Sequence, residues 1–201
     1  IMTDKITNTI KKDILPLVET LKNNFNDNGV LFYVGGYLRN NLINQIHNKN
    51  IKIKDIDLAT NIEPDIFKEL LNKKGYRTID TGIEHGTFTL LLPLDNDKYE
   101  ALEITTFRKD VATNGRKRTI SYRRTIEEDL ERRDFTVNAI AKNVRTDEII
   151  DIFDGINDIK KMDLKFVLNP KDRIKEDELR VLRYFRFIFQ YLILQRFIFI
   201  F

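Results

Sequence analysis

Val30–Val34 is a short apolar run of strand type that ends in Gly35-Gly36, after which Leu38, Leu42, Ile43 and Ile46 fall on one helical face. The chain must therefore pass from strand to helix through a glycine pair. Such a pair lets the backbone approach a phosphate closely, the helix N-terminus adds partial positive charge, and Arg39 supplies a forked donor. Alone, the same pattern also describes an ordinary tight turn with a surface arginine.

Composition narrows the chemistry. With 201 residues, 42% of them hydrophobic, the chain can bury a core as one generous domain or two small ones. Its 34 Lys+Arg against 31 Asp+Glu leave a formal charge of +3, which excludes binding by bulk charge and leaves only local basic clusters. The absence of Cys removes disulfides, thiolate zinc sites and cysteine nucleophiles, and two His, at 47 and 85, do not make a histidine metal site. Hard oxygen ligands remain.

Apolar spacing predicts a leading helix over Thr3–Phe25, stopped by Asn28-Gly29. A strand over Ile51–Leu58 would alternate its side chains, so Asp55 and Asp57 share one face. Two such carboxylates repel unless a cation lies between them, and oxygen-only ligation suits Mg²⁺; a solvated strand end beside Lys52 and Lys54 is the plainer alternative. A helix from Pro64 to Gly75 follows, then strands at Tyr76–Thr81, Thr87–Leu92 and Tyr99–Phe107. In the last of these Glu103 is a lone acid among apolar and β-branched residues and is the candidate third carboxylate, with Glu100 behind it.

Arg108–Arg124 is rich in Arg and Lys and reads as a mobile loop. Thr125 and Glu128 form a capping box for a helix that runs into Arg132, Arg133, Asp134 and Asn138. These groups can fork onto phosphates and hold a sugar hydroxyl, although Arg132 can equally pair with Glu127, Glu128 and Glu131. A hairpin is expected over Ala139–Phe153, with a turn at Asp154-Gly155. Glu176–Phe187 reads as one helix, on which Asp177, Arg180 and Arg183 rise along one side. Tyr184–Phe201 is nearly all apolar, but Arg186, Gln190, Gln195 and Arg196 interrupt it, so a core helix is expected rather than a membrane span. No signal peptide is evident in the first thirty residues.

Set in order, these pieces resemble the class II tRNA nucleotidyltransferases, the CCA-adding enzymes of the poly(A) polymerase-like superfamily, over about Val30–Tyr191. The likeness rests on Gly-Gly-x-x-Arg at Gly35–Arg39, Asp-x-Asp-x-x-Thr at Asp55–Thr60, Glu-His-Gly-Thr at Glu84–Thr87 and Glu-Ile-Thr-Thr-x-Arg at Glu103–Arg108. It continues through Arg-Arg-Asp-Phe-Thr-x-Asn at Arg132–Asn138, Asp-x-Phe-x-Gly at Asp151–Gly155 and Glu-Asp-x-x-Arg-x-x-Arg-x-x-Arg-Phe at Glu176–Phe187. Each motif is weak alone, and their order makes the set specific.

The resemblance implies an α+β nucleotidyltransferase head with a mixed, mainly antiparallel sheet, followed by the start of an all-α neck. The expected division is an N-terminal helix over 1–29 packed on the head, a catalytic head over 30–154, and a hinge with the beginning of a truncated neck over 155–201. It implies Mg²⁺ on Asp55 and Asp57, which activate a primer 3′-hydroxyl, with Glu103 as third carboxylate. It assigns Gly35, Gly36 and Arg39 to the triphosphate, Arg133, Asp134 and Asn138 to ribose and phosphates, and Asp177 and Arg180, supported by Arg183 and Arg186, to the base. A carboxylate beside a guanidinium suits cytosine and adenine, which both show an exocyclic amine next to an unprotonated ring nitrogen. Uracil and guanine present the reverse pattern.

The implied reaction is addition of CCA to a tRNA 3′ end from CTP and ATP with release of pyrophosphate, in the cytoplasm or an organelle. Rivals are a poly(A) polymerase, an A-only or CC-only enzyme, and a non-catalytic RNA-binding remnant. Two departures stand out. Asn40 replaces the family's usual Asp, removing a charge that would orient Arg39, and the stretch from Arg39 to Asp55 is long and Asn-rich.

Overall fold

The computed structural model describes residues 2–112 and 118–196. The chain opens with α1 (Met2–Thr9), a π-helical turn (Ile10–Ile14) and α2 (Leu15–Glu19). Pro16 has no N–H to continue the ladder and its ring crowds the preceding turn, which accounts for the widened turn just ahead of it. The helix stops at Glu19, short of the expected Phe25. Thr20 turns its hydroxyl back to the Leu17 carbonyl (2.7 Å), and Asn23 Oδ1 accepts from the amides of Phe25 (3.0 Å) and Asp27 (2.9 Å). These side chains offer the backbone partners that compete with the helix.

Next come β1 (Leu31–Tyr33), α3 (Gly35–His47), β2 (Ile56–Thr60), α4 (Pro64–Lys73), β3 (Arg77–Gly82), β4 (Thr87–Pro93) and β5 (Tyr99–Thr106). The expected strand over Ile51–Leu58 thus begins only at Ile56, leaving Asp55 ahead of it. Asn44 accounts for the shift: its Oδ1 accepts from the Ile51 amide (2.7 Å) and its Nδ2 donates to the Ile51 carbonyl (3.0 Å), tying that segment to the end of α3.

Arg108–Arg124 also departs from expectation. It forms an antiparallel hairpin of β6 (Arg108–Ala112) and β7 (Arg118–Tyr122), whose connection over 113–117 lies outside the described residues. Ile120 and Tyr122 alternate along β7 and press on Gly86, where an added Cβ would meet Tyr122 Cε1 at 3.1 Å and Ile120 Cδ1 at 3.2 Å. Two apolar groups at period two are enough to seat an otherwise polar strand.

The capping box at Thr125 and Glu128 is formed and starts α5 (Ile126–Glu131). The expected hairpin follows as β8 (Ala141–Asn143) and β9 (Ile149–Ile150). Asp151 accepts from the amides of Gly155 (2.7 Å) and Ile156 (2.9 Å), which opens α6 (Gly155–Lys161). The single helix expected over Glu176–Phe187 is two: α7 (Pro170–Glu176) and α8 (Leu179–Arg196). Asp177 is extended at the break, and its Oδ1 accepts from the Leu179 amide (3.0 Å) as α8 begins. The final residues 197–201 lie outside the described part.

Seven strands form one mixed sheet in the order β3-β4-β5-β2-β1-β8-β9, every pairing antiparallel except β2 with β5. One apolar cluster joins Ile6, Ile10, Ile14 and Val18 to Leu58, Phe67, Phe88 and Ile104. A second gathers Leu38, Ile43, Phe135, Ile159, Phe187 and Tyr191, so that α3, α6 and α8 share a core. Phe135 centres it, with its ring 5.5 Å from Phe187 and 4.9 Å from Phe166. Among the described residues no helix is long and apolar enough to cross a membrane.

Gly155 marks a close approach, since a Cβ there would lie 2.3 Å from the Thr136 carbonyl oxygen. We expect Gly155→Ala to destabilise the chain by about 1–3 kcal/mol through overpacking, read as a lower urea midpoint with unchanged slope.

Candidate functional site

The glycine pair meets Asp57 directly. Gly35 has φ +63°, and a Cβ there would sit 2.9 Å from Asp57 Oδ2. The Tyr37 amide, in the first turn of α3, donates to that same oxygen at 3.3 Å. Arg39 reaches back over the turn: its Nε donates to Asn40 Oδ1 (3.1 Å), its Nη1 donates to Asn138 Oδ1, and its guanidinium lies 4.6 Å from the centre of the Phe187 ring. Asn40 therefore still orients Arg39, through an amide oxygen in place of a carboxylate.

Strand register brings in the third acid. Asp57 stands beside Glu103 in the parallel β2–β5 pair. Asp55, exposed, precedes the strand, so it joins this group from the loop and not by strand alternation. Burial pushes the Asp57 carboxyl above its ordinary pKa and Asp55 adds to the rise, against the Tyr37 amide, Arg133 and Arg39, which lower it. Glu103 keeps an exposed outer side, yet the protein around it raises its pKa first, and then Asp57 and Asp55 do so by repulsion. Glu100 is raised by burial and by Asp55. Mutually repelling oxygen donors are the donor set of a hard divalent cation. Among the described residues, however, no three such side chains are drawn into a ready metal cluster.

Beside the glycine pair opens a cleft of about 430 Å³ lined by seven arginines, Arg39, Arg108, Arg132, Arg133, Arg180, Arg183 and Arg186, with Asp134, Asn138 and Asp177. The predicted nucleotide-binding residues are thus brought together. Their supports differ from expectation. Arg132 pairs with Asp129, not with Glu127, Glu128 or Glu131. Asp129, 1% exposed, accepts from Arg132 Nε (2.9 Å), Arg133 Nη2 (2.9 Å) and the Arg108 amide (3.1 Å). Sequence reasoning passed over it, although its spacing of three and four from the two arginines is the helical signal that finds it.

Asn138 Nδ2 donates to Asp134 Oδ1 (3.0 Å), and Arg183 Nη2 lies 2.6 Å from Asp134 Oδ2. That contact is an ion pair and not an aligned hydrogen bond, since among the described residues no donor satisfies Oδ2. Arg133 keeps a buried Nε without a hydrogen-bond partner among the described residues. Arg180, 6% exposed, donates to the Arg173 carbonyl (2.8 Å), Glu176 (2.7 Å) and the Arg132 carbonyl (3.0 Å). Asp177, at the break before α8, lines the cleft from outside that helix, so the expected single stripe of Asp177, Arg180 and Arg183 is not formed.

A mixed sheet that presents paired acids beside a glycine-turned helix N-terminus and an arginine cleft defines a nucleotidyltransferase head. Residues 31–165 match the family described as the poly A polymerase head domain, and the chain belongs to that family. It is 40% identical over 161 residues to the CCA-adding enzyme of Enterococcus faecalis, covering 79% of this chain and 36% of that protein. It is 44% identical over 158 residues to the CCA-adding enzyme of Streptococcus pneumoniae serotype 19F, covering 78% and 36%. Among solved structures it resembles the Bacillus stearothermophilus CCA-adding enzyme in complex with CTP, with TM-score 0.67 and 32% identity over 88% of this chain and 38% of that one. The chain spans about a third of the length of these curated relatives.

Burial alone would raise Asp129, but Arg132, Arg133 and the Arg133 and Arg108 hydrogen bonds outweigh it and hold the carboxyl below its usual range. A carboxylate depressed in the folded state stabilises it above the unfolded pKa of about 4, and this contribution is lost as pH falls through the folded pKa. Asp129→Asn is expected to cost about 3–5 kcal/mol at pH 7 and to flatten the decline in stability below about pH 4, measured by urea denaturation across pH.

Proposed function

We propose that this chain carries the catalytic head of a Mg²⁺-dependent tRNA nucleotidyltransferase that adds C, C and A to a tRNA 3′ end from CTP and ATP. The observation that carries the reading is the contact between the glycine turn and Asp57. It sets the arginine-lined cleft beside Asp57, so a phosphate held in the cleft would lie near the carboxylate face. The similarity to CCA-adding enzymes, one of them solved with CTP, supports the choice of nucleotide and primer. The cytoplasm, or an organelle matrix, is where tRNA, CTP and ATP would meet the chain.

In this reading Asp55 and Asp57 would hold the Mg²⁺, with Glu103 as the third acid. The ion, when bound, would supply Lewis-acid activation of the primer hydroxyl and charge neutralisation at the phosphates. The chain's own residues bind and orient. Gly35, Gly36 and Arg39 take the triphosphate at the N-terminus of α3, and Arg133 adds its charge from the cleft wall. Asp134 and Asn138 receive the ribose. Asp177 and Arg180, with Arg183 and Arg186 behind them, read the base edge. The primer 3′-oxygen bonds to the α-phosphorus, the bond from that phosphorus to the β-phosphate bridging oxygen breaks, and pyrophosphate departs while the hydroxyl proton is lost to solvent.

Three of the five N–H groups of Arg180 are engaged by Glu176 and two carbonyls, which hold the guanidinium in place at the cleft. A nucleobase would pair with the remaining N–H groups or take over from Glu176. A base without an acceptor at that position leaves the N–H groups presented to it unmatched.

The test is incorporation of labelled CTP alone, ATP alone and both into tRNA lacking its CCA end. CCA addition requires both nucleotides in sequence, whereas continued ATP addition identifies a poly(A) polymerase. Salt-sensitive RNA binding without turnover identifies the binding remnant. Asp55→Ala and Asp57→Ala are each expected to lower incorporation by more than about 100-fold, beyond what loss of a group that merely supports a metal ligand costs. Wild-type rates in either variant would overturn the assignment. Asp177→Ala is expected to admit UTP and GTP while CTP incorporation falls.

A further inference from the structure

The cleft arginines differ in how they are held. Arg132 and Arg133 are paired to Asp129, Arg180 to Glu176, and Arg183 to Asp134. Each pair fixes a guanidinium and also discounts its charge. Arg39 is held otherwise. Two neutral amide oxygens, from Asn40 and Asn138, take its N–H groups, and the face of Phe187 lies 4.6 Å from its guanidinium. Carboxylates act on Arg39 only at longer range, from Asp134 and Asp57.

Phe187 is 3% exposed and locked edge-on to Phe135 at 5.5 Å, so its ring has little freedom to turn. The same ring carries a second guanidinium, that of Arg186, at 5.3 Å. An aromatic face attracts a cation through its quadrupole without neutralising it. Two like charges gathered on one ring repel each other, and an anion placed between them and the glycine turn relieves the repulsion. The Arg39 guanidinium is already at that turn, since a Cβ on Gly36 would lie 3.4 Å from Arg39 Nη2.

We propose that Phe187 is a positioning residue for phosphate binding, a ring on α8 that fixes Arg39 over the glycine turn while leaving its full positive charge for the nucleotide's phosphates. The proposal rests on the reading of this cleft as a nucleotide site. It also gives α8 a part in holding the triphosphate, in addition to the base-reading part drawn from its arginines.

The experiment is calorimetric titration of the chain with CTP and with inorganic tripolyphosphate, for wild type, Phe187→Leu, Phe187→Tyr, Arg39→Gln and the Phe187→Leu/Arg39→Gln double variant. Phe187→Leu is expected to weaken both ligands about fivefold, and Phe187→Tyr, which keeps the ring face, to stay within about twofold of wild type. With Arg39→Gln already present, Phe187→Leu should add less than about a twofold effect. The inference is overturned if Phe187→Leu binds tripolyphosphate as wild type does, if the Tyr variant is as weak as the Leu variant, or if the two single effects multiply in the double variant. If wild-type protein binds neither ligand, the nucleotide-site reading itself fails. Binding by wild type with no response to Phe187 sinks this inference alone.

Discussion

Strand β2 lies between one antiparallel and one parallel neighbour, and that arrangement builds the site. Because β1 runs antiparallel to β2, with Tyr33 opposite Leu58, the C-terminal end of β1 delivers Gly35 and the start of α3 to the N-terminal end of β2. Because β5 runs parallel, with Glu103 opposite Asp57, it brings its own acid to the same place. The consequence is exact in register: a one-residue slip of either neighbour would turn Glu103 to the other face or carry the glycine turn away from Asp57. Gly35 is then a requirement of geometry, since any Cβ at that position would collide with the carboxylate that the helix N-terminus has to face.

Around that point the chain gathers like charges on both sides, and each side is stabilised differently. Burial first, and then mutual repulsion, raises Asp57 and Glu103 and favours a cation. The arginines are restrained by buried acceptors. Asp129 has its two oxygens occupied by Arg132, Arg133 and the Arg108 amide, so a single carboxylate couples the base of the β6–β7 hairpin to the arginine pair of the cleft. Asp134 serves the cleft in a similar way, accepting from Asn138 with one oxygen and facing Arg183 with the other. Burying such acids is expensive unless every lone pair is used. The cost is compensated because the same contacts set several cationic side chains at once.

Much of this was legible in the sequence, where local chemistry determines local structure. The glycine-turned helix, the capping box at Thr125, the strands around Glu103 and the hairpin before Asp154 follow from spacing and turn residues, and the comparisons support the head that these motifs resemble. The misplaced elements share a cause: a side chain that captures the backbone from outside the pattern. Asn23 ends the first helix early, Asn44 holds Ile51 off the sheet, and Asp177 breaks what reads as one helix by capping the next. Asx residues favour such local bonds, but whether a given one makes them depends on neighbours that periodicity does not report. The β6–β7 hairpin was missed for a related reason, because its polar composition concealed two apolar residues whose partner, Gly86, lies far away in the chain.

The site was legible in its members and not in its wiring. Every residue assigned to the cleft lines it, touches its glycine turn or sits on its acid face, yet of the groups that hold them there Asp129 belongs to no motif, and Phe187 closes one that names the residue without telling its part. Motifs report chiefly side chains that meet a ligand, since there residue type and order have to match an outside shape. Supporting groups have to match only each other, and a buried carboxylate, an amide oxygen or an aromatic face can each fix a guanidinium. They differ in the charge they leave behind. Asp129 fixes Arg132 and Arg133 at the expense of their field, whereas Phe187 with Asn40 and Asn138 fixes Arg39 at almost none. The arginine at the glycine turn therefore keeps an attraction for an anion that the pair on Asp129 largely gives up.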